Sequence, residues 1–103
     1  METAVAVTDN ADLERYEITA DGAVAGFTAY RRRPGLIAFT HTEIDPAFEG
    51  RGLGGRLVGA ALDDARAHGL LVLPFCPFTN GYIQRHPEYA DLVPDAFHTQ
   101  FGL

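Results

Sequence analysis

The chain has 103 residues, 47% of them apolar and 21% charged, with 14 acidic against 8 basic side chains and a formal net charge of -6. One compact domain fits this length and a second does not, and the apolar content excludes intrinsic disorder. So acidic a chain repels phosphate backbones, which excludes general nucleic-acid binding and leaves room only for a local anion site made of backbone N–H groups.

The single cysteine, Cys76, excludes an intrachain disulfide and a zinc site built on CxxC pairs. The start, Met1-Glu2-Thr3-Ala4-Val5, has no basic segment and no long apolar stretch, so no signal peptide is expected. Gly69 to Cys76, the longest mainly apolar run, is too short to span a bilayer. A reduced, cytoplasmic protein without a membrane partner is the resulting expectation.

Residues 1–12 are small and polar and are expected to form a loose lead-in to a single domain over 13–103. Leu13, Tyr16 and Ile18 mark a first strand over 13–18. Asp21-Gly22 is a hairpin turn signal. Val24 to Tyr30 reads as a second strand, and Arg31-Arg32-Arg33 before the Pro34-Gly35 turn as a solvated hairpin tip. Leu36 to Ile44 reads as a third strand, which completes an antiparallel meander.

The second half changes character. Leu53, Leu57, Val58, Ala61, Leu62 and Ala65 recur at spacings that share one helix face, with His68 and Gly69 as a stop. Leu70 to Phe75 reads as a buried strand, parallel to the third strand through a right-handed crossover. Thr79 to Arg85 predicts a short helix ended by Pro87, and residues 94–103 carry no clear pattern. The expected class is α/β: a mostly antiparallel sheet with one parallel pair, one long helix and one short one.

Gly50-Arg51-Gly52-Leu53-Gly54-Gly55 lies between strand and helix, where glycines let a ligand approach the backbone and a first helical turn offers free N–H donors. Its plain alternative is a glycine-rich turn that packs helix on sheet. A P-loop would need Lys and Ser or Thr where Arg56 and Leu57 stand. Gly50, Gly52 and Gly55 match G-x-G-x-x-G, but Asp45 to Glu49 separate them from the strand, no acid follows in 70–78, and one strand–helix–strand unit is too little for a dinucleotide fold.

Glu49 to Gly54 resembles the [QR]-x-x-G-x-[GA] pyrophosphate loop of the GNAT superfamily of N-acetyltransferases. His41-Thr42-Glu43-Ile44-Asp45-Pro46, Phe48 to Gly54, Cys76-Pro77-Phe78 and Tyr82-Ile83-Gln84-Arg85-His86-Pro87-Glu88-Tyr89, in that order, resemble the small single-domain members of that superfamily over roughly residues 14–93. The resemblance implies acetyl-CoA as cofactor and an amine as acceptor. It implies coenzyme A contacts at Ile44, Glu49, Gly50, Arg51, Gly52, Leu53, Gly54, Gly55, Cys76, Phe78, Asn80, Tyr82 and Arg85. Glu49 stands where Gln or Arg is usual, so backbone amides must hold the phosphates, and Glu49 is a candidate cap for the helix. The paired helices that usually enclose the acceptor are missing, which implies an open acceptor site. A non-catalytic coenzyme A-binding sensor or interaction module is the alternative function.

Acetyl transfer needs a base for the amine, stabilisation of the carbonyl oxygen and a proton for the leaving thiolate. By strand alternation His41 and Glu43 are expected on the face of Ile37 and Phe39, costly there unless paired or wet. Histidine ordinarily titrates near neutrality, so His41 is the candidate base, with Glu43 to orient it; a surface pair at a strand end is the other reading. The resemblance implies that the parallel strands splay beside Cys76, where Pro74 and Pro77 cannot extend a ladder. Cys76 is then an acyl nucleophile, a proton donor or a small apolar lining residue. Tyr82 is the second candidate acid, or a packing aromatic. Asn80 is a candidate for the pantetheine amides or a helix cap. The acidic balance favours a cationic acceptor.

Overall fold

The structure, a computed structural model, describes residues 4–103. Five strands, β1 (Val5–Asn10), β2 (Arg15–Ala20), β3 (Ala23–Arg33), β4 (Leu36–Ile44) and β5 (Leu71–Pro74), form one sheet in chain order. Every neighbouring pair is antiparallel except β4 and β5. Helix α1 (Leu53–Ala67) makes the crossover between that parallel pair, and α2 (Pro77–Arg85) and the short α3 (His98–Phe101) follow. The architecture is the expected mixed α/β one. No helix among the described residues is long and apolar enough to cross a membrane.

Local chemistry explains much of this. Asp21 and Gly22 both take positive φ (51° and 83°), as a two-residue hairpin turn between right-twisted strands requires. The apolar stripe of α1 buries Leu57, Val58, Ala61, Leu62 and Ala65 against Ile18, Ile37, Phe39 and Val72. Fully burying one such leucine or isoleucine contributes roughly 1.5–3 kcal/mol. Two phenols make long-range ties: the Tyr16 hydroxyl donates to Asp64 on α1, across the layers, and the Tyr30 hydroxyl to Asp9 on β1, within the sheet.

Two expectations are corrected, and the segment without a clear pattern takes a defined form. Residues 5–10 of the expected lead-in form edge strand β1, paired with β2 from Val5↔Ala20 to Asn10↔Arg15; residues 1–3 lie outside the described residues. Leu13 closes a 3-10 turn (Ala11–Leu13) instead of starting a strand. Residues 94–103 are ordered into a 3-10 turn (Asp95–Phe97) and α3, whose Phe101 is buried and meets Phe75 edge to face.

The decisive irregularity is in β4. Ala29 of β3 pairs with His41 and Tyr30 with Phe39, so Thr40 is an extra residue on β4. Such a bulge inverts the alternation beyond it. Phe39 faces the core, and after the bulge Thr42, opposite buried Thr28, keeps that face. His41 and Glu43 therefore lie on the opposite, open face, not beside Ile37 and Phe39 as simple alternation requires. They are 58% and 62% exposed there and pair at 3.2 Å.

Candidate active site

Pairing between β4 and β5 ends at Phe39↔Pro74. Pro74 has no N–H to extend the ladder, and the last link is the Cys76 N–H donating to the Phe39 carbonyl at 2.9 Å. From there β5 turns into α2, and Thr40 to Ile44 have no ladder partner on that side among the described residues. The opening is a cleft of about 370 Å³. Thr42 and Ile44 form its β4 wall, Phe48, Glu49, Gly50 and Gly52 its loop, Leu53, Gly54 and Gly55 its helical end, and Phe78 its far side.

The loop end fits an anion. Gly50 and Gly52 hold φ of 81° and 71°, a left-handed backbone that side chains with a Cβ resist. Gly52 is the N-cap of α1 and supplies no side-chain cap. The amides of Leu53, Gly54 and Gly55 thus face outward without intrahelical acceptors, at the positive end of the helix dipole. Gly54 serves a second need: a Cβ there would stand 2.6 Å from Cζ of Phe78. Glu49 does not cap α1; its own N–H closes the Pro46–Phe48 turn. The exposed Arg51 guanidinium lies 5.4 Å from the centre of the Phe48 ring.

Cys76 is buried and is the N-cap of α2. Its Sγ lies 3.4 Å from the Thr42 hydroxyl, which in turn meets the fully buried Thr28 hydroxyl at 2.9 Å. Burial pushes the thiol pKa up. The Thr42 hydroxyl, followed by the nearby Thr79 and Phe78 amides and the Thr79 hydroxyl, outweighs it, and the net shift is downward. Donors that converge on sulfur stabilise its anion.

Of the residues expected to contact coenzyme A, Ile44, Glu49, Gly50, Gly52 to Gly55 and Phe78 line the cleft. Tyr82 does not. Its ring runs along α1 from Gly55 to Gly59, its hydroxyl 2.6 Å from where a Gly59 Cβ would sit, and it stacks on His86 at 4.1 Å. Burial, then Asp63 and Glu88, raise its pKa. That is the packing role, and it explains a glycine in mid-helix. Asn80 donates to the Phe101 carbonyl at 3.0 Å and so pins the C-terminal segment; α2 starts at Pro77, so Asn80 is no cap. Arg85 folds back on Gly81 of its own helix. Thr28, Thr42 and Thr79 escaped the sequence reading. Thr28 lies between Phe27 and Ala29, but Thr42 stands between His41 and Glu43 and Thr79 between Phe78 and Asn80, so no common sequence signal marks the three.

The family model described as GCN5-related N-acetyl-transferase matches residues 15–92, from the first residue of β2 to the end of the Pro87–Leu92 turn. A comparison with curated proteins finds no match. The match spans most of the chain and contains the bulged strand, the glycine loop and Cys76, so the chain belongs to the GCN5-related N-acetyl-transferase family.

Proposed function

We propose that the chain binds acetyl-CoA in the cleft and transfers its acetyl group to a primary amine. The observation that carries this reading is the continuity of the cleft, from the uncapped glycine turn of α1, along the unpaired edge of β4, to Thr42 beside the Cys76 sulfur. The amides of Leu53, Gly54 and Gly55 bind the pyrophosphate, which compensates for Glu49 at a position where a basic or amide side chain would donate. The Thr42–Ile44 edge offers main-chain groups to the pantetheine amides, and the Phe78 ring covers its apolar stretch.

When bound, acetyl-CoA supplies a thioester carbonyl open to nucleophilic attack. The start of α1 and Phe78 roof the cleft on the helix side, so the amine approaches over the open face of the sheet. His41 and Glu43 stand on that face, flanking Thr42. The exposed pair removes the ammonium proton there, His41 as base and Glu43 as its orienting partner. The amine lone pair forms the new C–N bond, the C–S bond breaks, the Cys76 thiol gives its proton to the departing sulfur, and the nitrogen loses its second proton to solvent to leave the amide. The Cys76 thiolate, held by its hydroxyl and amide donors, regains a proton from solvent.

Titration calorimetry of the purified protein with acetyl-CoA tests the binding half. Saturable binding is expected, and Gly54→Val should abolish it, because the new side chain drives the Phe78 ring into the cleft. Unchanged affinity in the folded variant refutes the assignment. A steady-state assay across diamines, polyamines and basic peptides tests the transfer half. Tight binding with no turnover on any amine would leave the non-catalytic coenzyme A module as the function.

A further inference from the structure

The Cys76 sulfur has an unusual neighbourhood for a thiol with a lowered pKa: hydroxyls and amides surround it and no ion does. None of the largest causes of its shift is a charged side chain. The titratable residues of the adjoining stretch of β4, His41 and Glu43, lie on the opposite face of the sheet. From β4 it meets Thr42, behind Thr42 stands Thr28 of β3, and from α2 come the Phe78 amide and both the amide and the hydroxyl of Thr79. Thr79 is 1% exposed and its Oγ1 makes no hydrogen bond, so a free buried hydroxyl stands near the sulfur.

A buried thiolate without a counter-ion needs donors, and a buried thiol needs an acceptor. Hydroxyls meet both demands by rotating. With the thiol, Cys76 donates to Thr42 and Thr42 donates to Thr28. With the thiolate, the order reverses: Thr28 donates to Thr42 and Thr42 to sulfur. The second hydroxyl matters because it gives Thr42 an acceptor in one state and a donor in the other. Thr42 is satisfied as donor and as acceptor in both states.

The geometry points to a reversible hydroxyl relay, Thr28–Thr42–Cys76, that turns its hydrogen bonds to accept from the sulfur as a thiol and to donate to it as a thiolate, while the sulfur's own proton comes and goes through the cleft. Thr28 is a positioning residue that acts only through Thr42. The catalytic meaning of the relay rests on the acetyl-transfer reading, but the relay itself is measured without acetyl-CoA, so the two fail separately.

The protein holds one cysteine, so the ultraviolet absorbance of its thiolate, followed against pH with Cys76→Ala as blank, reports this sulfur alone. Thr42→Val should raise the midpoint by about one unit, a tenfold loss of thiolate at a given lower pH. Thr28→Val should raise it by a smaller amount, and Thr28→Ser should restore the wild-type value. The double valine variant should match Thr42→Val alone, because Thr28 has no route to sulfur once Thr42 is gone. A wild-type midpoint in folded Thr28→Val, or additive shifts in the double variant, overturns the relay. If Thr28→Val does not fold, Thr28→Ala removes the hydroxyl without a bulkier group and is read the same way.

Discussion

Thr42 and Cys76, 34 positions apart in the chain, meet side chain to side chain with Oγ1 and Sγ 3.4 Å apart. Two backbone events bring them together. The extra residue Thr40 turns Thr42 to the core face of β4, and β5 leaves the ladder after Pro74 so that Cys76 swings to the start of α2. The same bulge sends His41 and Glu43 to the open face. One inserted residue thus puts the hydroxyl on the helix side and the base pair on the other.

That division predicts the kinetics of the pair. His41→Ala should lower kcat by about 10²-fold, while acetyl-CoA affinity stays at the wild-type value because neither residue lines the cleft. Glu43→Ala should act in the same direction and less strongly. Full turnover in both variants, measured in a continuous thiol-release assay, would mean that the acceptor loses its proton to water and that the pair is only a surface contact.

Cys76 as proton donor predicts a partial effect. Cys76→Ala should bind acetyl-CoA and retain measurable transfer, since direct attack by the amine needs no enzyme nucleophile. Mass spectrometry of the wild-type protein mixed with acetyl-CoA alone provides the opposing test. An acetyl adduct on Cys76 that forms fast enough for turnover, together with a dead alanine variant, would replace direct transfer by a two-step route through the cysteine.

Gly26 is a stability test away from the cysteine. A Cβ at this position would stand 2.5 Å from both the Glu43 carbonyl oxygen and Cδ1 of Ile44. The carbonyl is backbone and cannot swing aside. Gly26→Ala should cost about 1–3 kcal/mol, read as a lower midpoint in urea denaturation. An unchanged midpoint would show that β3 and β4 separate there at no cost.

Alkaline stability follows from Tyr16 and Tyr30. Burial first, then donation to Asp64 and Asp9, raises both phenols well above the ordinary tyrosine value of 10.0. A pKa raised in the folded state means that the folded chain holds the proton more tightly. The stabilisation is complete below the unfolded value and is lost as pH rises through it toward the folded one. Thermal unfolding should therefore be insensitive to these phenols at neutral pH and decline above about pH 10. Tyr16→Phe should be less stable at neutral pH and flatten the decline; an identical slope in the variant would refute the assignment.

The sequence by itself determined the elements whose causes are local. Asp21-Gly22 dictates a two-residue turn, the apolar stripe from Leu53 to Ala65 dictates α1, and the glycines of 50–55 mark a turn open to left-handed backbone, as Gly50 and Gly52 adopt. Only the tertiary structure decided the rest. β1 has no strong pattern because an edge strand of half-buried residues acquires its shape by pairing with β2. The Thr40 bulge leaves no mark in the composition of β4; it is a matter of register against β3, and alternation alone therefore assigns His41 to the wrong face. Tyr82 goes to Gly59 because only a glycine there admits its hydroxyl, a contact between two helices that neither segment specifies alone. Periodicity and turn chemistry act within a few residues and can be read in order along the chain. Register, splay and the meeting of Thr28, Thr42 and Cys76 depend on which distant segments share one core, and folding alone settles that.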